Sequence, residues 1–134
     1  MGIVHNIVTT NILDRESVEK FLVEQGASRT QNSEFTIYDS CGQLWIYFYK
    51  DYLEDAELFD PIGQKEGYDI LTKILEGPPK SCLSVALNHG RNPMILCYKL
   101  AYEFVKIFGG VLHCESGNIY TKNNLENVIN ENGN

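Results

Sequence analysis

The chain has 134 residues, 43% of them hydrophobic and 22% charged, and a formal net charge of −7. That length suits one domain over 1–134, because two independent cores would each bury too little surface. The apolar share excludes wholesale disorder and collagen-like repeats. No apolar run approaches the roughly 18 residues of a membrane span, and 1–10 lack a basic stretch followed by an apolar one, so neither a span nor a secretory leader is expected.

In chain order, Ile3–Thr10 alternates Ile3, His5 and Ile7 against Val4, Asn6 and Val8, which predicts a strand. Asp14 is the candidate N-cap of a helix with the stripe Val18, Phe21 and Leu22, and Gly26 supplies its left-handed stop. Phe35–Asp39 and Leu44–Lys50 flank Ser40-Cys41-Gly42-Gln43 as the arms of a hairpin. In the second arm Leu44, Ile46 and Phe48 face one side, and Trp45, Tyr47 and Tyr49 the other. A strand apolar on both faces is either covered by the protein's own helices or turned towards a partner.

Asp51–Asp60 interleaves five acids with Tyr52, Leu53, Leu58 and Phe59 and contains no base. A helix is predicted from about Lys65 to Glu76, with Tyr68, Leu71 and Leu75 inward, Ile74 beside them, and Gly77-Pro78-Pro79 as its stop. Ser81–Asn88 alternates Leu83, Val85 and Leu87 against Cys82, Ser84 and Ala86. Asn92-Pro93 opens a helix to Phe108 that turns Met94, Cys97, Ala101, Phe104, Val105 and Phe108 inward and Lys99, Glu103 and Lys106 outward; Gly109-Gly110 ends it. Val111–Cys114 and Asn118–Thr121 bracket a short hairpin turn, and Leu125, Val128 and Ile129 mark a last helix, with the Asn-rich end from Asn130 expected to fray. This order predicts an α+β fold: a mostly antiparallel sheet with helices packed on it as a two-layer sandwich, with room for one parallel crossover through the long helix.

The usual chemical signatures are missing. No G-x-S-x-G, G-x-x-x-x-G-K-[ST] or G-x-G-x-x-G occurs. Cys41, Cys82, Cys97 and Cys114 form no C-x-x-C, and a reduced, cytoplasmic protein is the expectation. A zinc site would have to draw on Cys82, His89, His113 and Cys114, but His113 and Cys114 are strand neighbours that point to opposite faces, so no metal and no cofactor is expected. Cys97 lies on an apolar stripe in a negative field, which suits a core thiol and not a nucleophile. The acids of 51–60 lie on one segment and not on separate elements around a cleft, as a glycosidase pair would, and their spacing does not match an EF-hand. No catalytic residue is assigned, and the protein is read as a non-enzyme.

Charge is the more informative feature. Between Asp51 and Glu76 there are eight acids against two bases, so this stretch holds six of the seven excess negative charges. Such a field repels nucleic acid and anionic membranes and attracts basic partners over a Debye length of about 8 Å. An acidic segment threaded with aromatic and aliphatic anchors suits recognition of a basic protein. The candidate contact residues are Asp51, Tyr52, Glu54, Asp55, Glu57, Phe59 and Asp60, joined by Trp45, Tyr47 and Tyr49. Equally, the segment can be an acidic loop whose apolar residues dock on their own core. The alternatives from other classes are a small enzyme or ligand-binding domain with a cleft near residues 88–92, where the turn Asn88–Asn92 precedes a helix N-terminus able to hold a small anion, and an adaptor that oligomerises through the aromatic strand face.

The strand Ser84-Val85-Ala86-Leu87, the amphipathic helix Pro93–Phe108, Gly109-Gly110, and Val111-Leu112-His113-Cys114 leading to Ile119-Tyr120 form a strand–helix–Gly-Gly–strand cadence over residues 81–121. It resembles that of small acidic immunity proteins encoded beside bacterial polymorphic toxins, including contact-dependent growth inhibition systems. The resemblance implies a cytoplasmic, non-enzymatic inhibitor that binds a cognate toxin domain, often a basic nuclease; the sequence leaves the oligomeric state open, with a monomer favoured. It carries over no individual residue.

Overall fold

A computed structural model describes residues 4–30, 34–52, 64–88 and 90–132, the side chains of 64–68 and 132 excepted. The elements are β1 (Val4–Thr9), α1 (Arg15–Glu24), β2 (Ser28–Arg29), β3 (Phe35–Tyr38), β4 (Gln43–Tyr49), α2 (Gln64–Leu75), β5 (Ser81–Leu87), α3 (Pro93–Phe108), β6 (Val111–His113), β7 (Ile119–Tyr120) and α4 (Lys122–Asn132). Seven strands form one sheet in the order β2-β3-β4-β5-β1-β6-β7, and every neighbouring pair is antiparallel. The α+β class read from the sequence is the observed one. The crossover through the long helix is present: β5 and β6 both run opposite to β1, hence parallel to each other, are joined through α3, and have β1 inserted between them.

Local rules account for most boundaries. Asp14 caps α1 by accepting from the Ser17 amide at 2.9 Å and the Ser17 hydroxyl at 2.8 Å, which holds its carboxyl below the ordinary carboxylate range. Arg15 then ties α1 to the sheet: its guanidinium forks onto Glu34 at 3.1 and 3.2 Å and lies 5.3 Å from the Phe48 ring centroid. Glu34 also accepts the Phe48 amide at 3.0 Å, so one carboxylate joins helix and strand. Pro93 opens α3 as expected, but the Asn92 side chain makes no capping bond; the Asn92 backbone N–H donates to the Cys41 carbonyl at 3.0 Å. At the end of α2 it is Glu76, not Gly77, that takes the left-handed conformation (φ 59°).

The main core lies on one face of the sheet. There Ile7, Leu44, Ile46, Leu83, Val85 and Leu112 meet Val18, Phe21 and Leu22 of α1, Leu100 and Phe104 of α3 and Leu125 of α4. Phe21 and Phe104 contact edge-to-face, with centroids 5.7 Å apart. α4 extends through Asn132. It is held by the buried Leu125 and by an exchange at its start, where the Thr121 amide and hydroxyl donate to Asn124 Oδ1 at 3.1 and 3.0 Å. A smaller second core occupies the opposite face, where Leu71 of α2 and Tyr52 pack on Val8, Cys82 and Val111. α2 is therefore added on the far side of a two-layer frame. Within it Leu71 is fully buried, whereas Ile74, expected beside the stripe, is 42% exposed. No helix among the described residues is long and apolar enough to cross a membrane.

Candidate functional site

The alternation of β4 puts Leu44, Ile46 and Phe48 into the main core and Trp45, Tyr47 and Tyr49 half-buried on the second face. Register places Trp45 opposite Ala86, Tyr47 opposite Ser84 and Tyr49 opposite Cys82. Tyr49 leans on the second core, which leaves Trp45 and Tyr47 as its outer neighbours. Asp51, just past the strand, is exposed. Tyr52 was expected among the contact residues but is only 3% exposed inside the second core. Its amide donates to the Lys80 carbonyl at 2.7 Å, and the Lys80 amide to the Thr9 carbonyl at 2.8 Å, which draws the chain after β4 under α2. Glu54, Asp55, Glu57, Phe59 and Asp60 lie outside the described residues.

The same face carries a polar row that sequence reading missed. Asn6↔His113, Asn6↔Ser84 and Ser84↔Tyr47 are register partners, so His113, Asn6, Ser84 and Tyr47 stand side by side across four strands. His113, Asn6 and Ser84 are 0, 1 and 1% exposed. The Ser84 hydroxyl donates to Asn6 Oδ1 at 2.6 Å, while Asn6 Nδ2 has no hydrogen-bond partner. A buried, unpaired amide donor costs about 1–3 kcal/mol. Alternation assigns each of these residues a face, but only the register between distant strands aligns them.

His5, on the main-core side of β1, is 6% exposed and accepts the Glu115 amide on Nδ1 at 2.9 Å. Burial pushes its imidazole below the ordinary value; the Glu115 carboxylate opposes this and His113 adds to it. The unfolded chain therefore binds a proton at His5 more readily than the folded one. Stability is fully present above about pH 6.5, the unfolded value, and falls as the pH drops below it. Urea midpoints measured from pH 7.5 to 5.5 should decline, and His5→Gln should flatten that decline. An equal slope in both proteins would show that other groups carry it.

Cys82, Cys97 and Cys114 are core residues, and Cys41 is half-buried in the hairpin turn. Cys97 is fully buried, and burial pushes its pKa far above the ordinary value; burial also raises Cys114, to about 11. His113 faces the second side of the sheet and Cys114 the main core, so the two cannot share one ion. His89 lies outside the described residues. No group of three or more metal-ligating side chains comes together among the described residues.

A cavity of about 300 Å³ adjoins the 88–92 turn, lined by Tyr38, Asp39, Ser40, Gly42 and Gly90. Its walls are bolted together: the Asn88 amide donates to the Gln43 carbonyl at 2.9 Å, and the Asn88 side chain to Gln43 Oε1 at 2.8 Å. A Cβ on Gly90 would stand 2.2 Å from the Gly42 Cα, so only glycine fits this approach. The Asp39 carboxylate closes the hairpin turn by accepting the Cys41 and Gly42 amides at 2.7 and 3.3 Å. Both bonds fall on Oδ1. A second cavity, about 340 Å³, has Ile37, Leu96 and Leu100 as its floor and Gln25, Lys99 and Glu103 at its rim.

In comparison with known proteins, no family model, no curated protein and no solved structure matches the chain.

Proposed function

We propose that this chain is an immunity protein: a cytoplasmic, stoichiometric inhibitor that binds a cognate toxin domain, a basic nuclease by its chemistry, and uses no cofactor. The observation that carries this reading is the charge distribution. Six of the seven excess negative charges fall in 51–76, and that stretch starts at the end of the strand bearing the half-buried Trp45 and Tyr47. Carboxylates presented to a nuclease occupy the positions its basic groups keep for phosphates, and they steer the encounter over about a Debye length. Trp45 and Tyr47 supply apolar area with a polar handle, the residue types that anchor interfaces. Asp51, Glu54, Asp55, Glu57, Phe59 and Asp60 complete the proposed contact; Tyr52 supports it from the core.

The cavity beside the 88–92 turn favours a second reading, a small-ligand or enzymatic domain. Its one carboxylate already closes a turn, which ranks it below the first. Affinity capture from the native host at low and moderate salt separates the readings. A basic toxin-like domain that is retained, then reconstituted as a 1:1 complex with its activity blocked, supports the inhibitor. Retention of nothing but further copies of the chain supports the adaptor and overturns it.

A further inference from the structure

α2 is anchored to the second core by Leu71, which is fully buried, and by the half-buried Leu75. Ile70 and Ile74 are four residues apart, hence on one helical face, and are 37 and 42% exposed. Each therefore offers more than a third of its surface beside the anchored face. Six large apolar side chains are exposed among the described residues, and only these two stand at helical spacing from one another and within the acidic stretch 51–76. Exposed Asp69 and Glu76 flank the pair, with Lys73 between.

We propose that Ile70 and Ile74 form the apolar centre of a docking surface on α2 for a basic protein, whose own contact is an apolar pocket rimmed by Lys and Arg. This rests on the inhibitor reading and adds to it a second contact element. Charge selects the occupant. The chain's net charge of −7, with exposed Asp69 and Glu76 beside the pair, repels an anionic membrane or a nucleic acid. A second copy of this chain docking by the same face would set Asp69 and Glu76 against the same residues of its partner, with both chains at net charge −7, since a twofold contact pairs a surface with itself. A basic protein gains from both the charge and the exposed pair.

The test uses the captured partner and the intact chain, with surface-plasmon kinetics for wild type, the double variant Ile70→Ser/Ile74→Ser, and Val23→Ser as a control on α1, where Val23 is 62% exposed. The double variant should dissociate roughly 10- to 100-fold faster with an association rate within about twofold of wild type, and Val23→Ser should match wild type. Amide exchange in the wild-type complex should slow over 69–76, a readout that needs no substitution. Unchanged dissociation together with unprotected 69–76 overturns this inference while leaving the inhibitor reading intact. Recovery of no basic partner overturns the inhibitor reading itself, and this inference with it.

Discussion

Gly110→Ala is expected to lower stability by about 3–5 kcal/mol, and to lose about 2 kcal/mol more than Gly109→Ala beside it. Both glycines have positive φ, 79° at Gly109 and 112° at Gly110, so both substitutions bear the strain of a backbone that L-residues avoid, about 1–3 kcal/mol. Their surroundings separate them. A Cβ on Gly109 has nothing nearer than Asn11 Nδ2 at 4.0 Å, whereas one on Gly110 would stand 2.0 Å from the Val8 carbonyl oxygen and 3.1 Å from the Thr9 Cα. Those atoms belong to β1, which is paired with β5 on one side and β6 on the other. Relief therefore requires moving a central strand, which disturbs the Val8–Val111 contact of the second core. Urea midpoints of the two variants decide the matter; equal losses would mean that β1 yields freely and the close approach carries no cost.

That difference marks what the sequence could and could not disclose. Gly109-Gly110 reads as a helix stop, a local property, and local properties were legible: the limits of α3, the Asp14 cap and the hairpins all follow from periodicity and punctuation within a few residues. The second role of Gly110 arises because β1, the first strand in the chain, sits between β5 and β6, a pairing across about a hundred residues that no local pattern encodes. The same gap hid the polar row. Tyr47, Asn6, Ser84 and His113 are ordinary alternating positions until register sets Asn6 between Ser84 and His113 and Ser84 beside Tyr47. Ile74 shows a different limit. It is three residues from Leu71 and one from Leu75, at the border of the stripe, and its exposure depends on how much of α2 the sheet covers. Tyr52 shows a third, for the composition of its segment indicates a surface, while a backbone bond to Lys80 draws the chain, and the ring with it, inward. Of the proposed contact, the aromatic face of β4 was readable from alternation alone, since a strand of seven residues fixes its own two faces.

Two sets of substitutions should then affect binding of the captured partner in opposite kinetic arms. Asp51→Asn, Asp55→Asn and Glu57→Gln together remove three of the charges that act at a distance, and should slow association about tenfold at low salt with little change in dissociation. The difference should vanish towards 1 M salt, where the Debye length is about 3 Å and steering is lost in both proteins. Tyr47→Ala acts at contact. It should leave association nearly unchanged and speed dissociation by roughly 30- to 1,000-fold, the range of about 2–4 kcal/mol typical of a central aromatic anchor. Because Tyr47 also packs against its strand neighbour Ser84, the melting temperature of this variant must be checked. Tyr52→Ala provides the contrast: with the ring 3% exposed in the second core, it should cost about 3–5 kcal/mol of folding stability, and whatever binding it loses should track the folded fraction. If Tyr47→Ala folds normally and dissociates like wild type, the β4 face is not at the interface. If the three charge substitutions leave association and its salt dependence untouched as well, the acidity of 51–60 serves only to keep the surface hydrated, and the inhibitor reading loses the observation on which it stands.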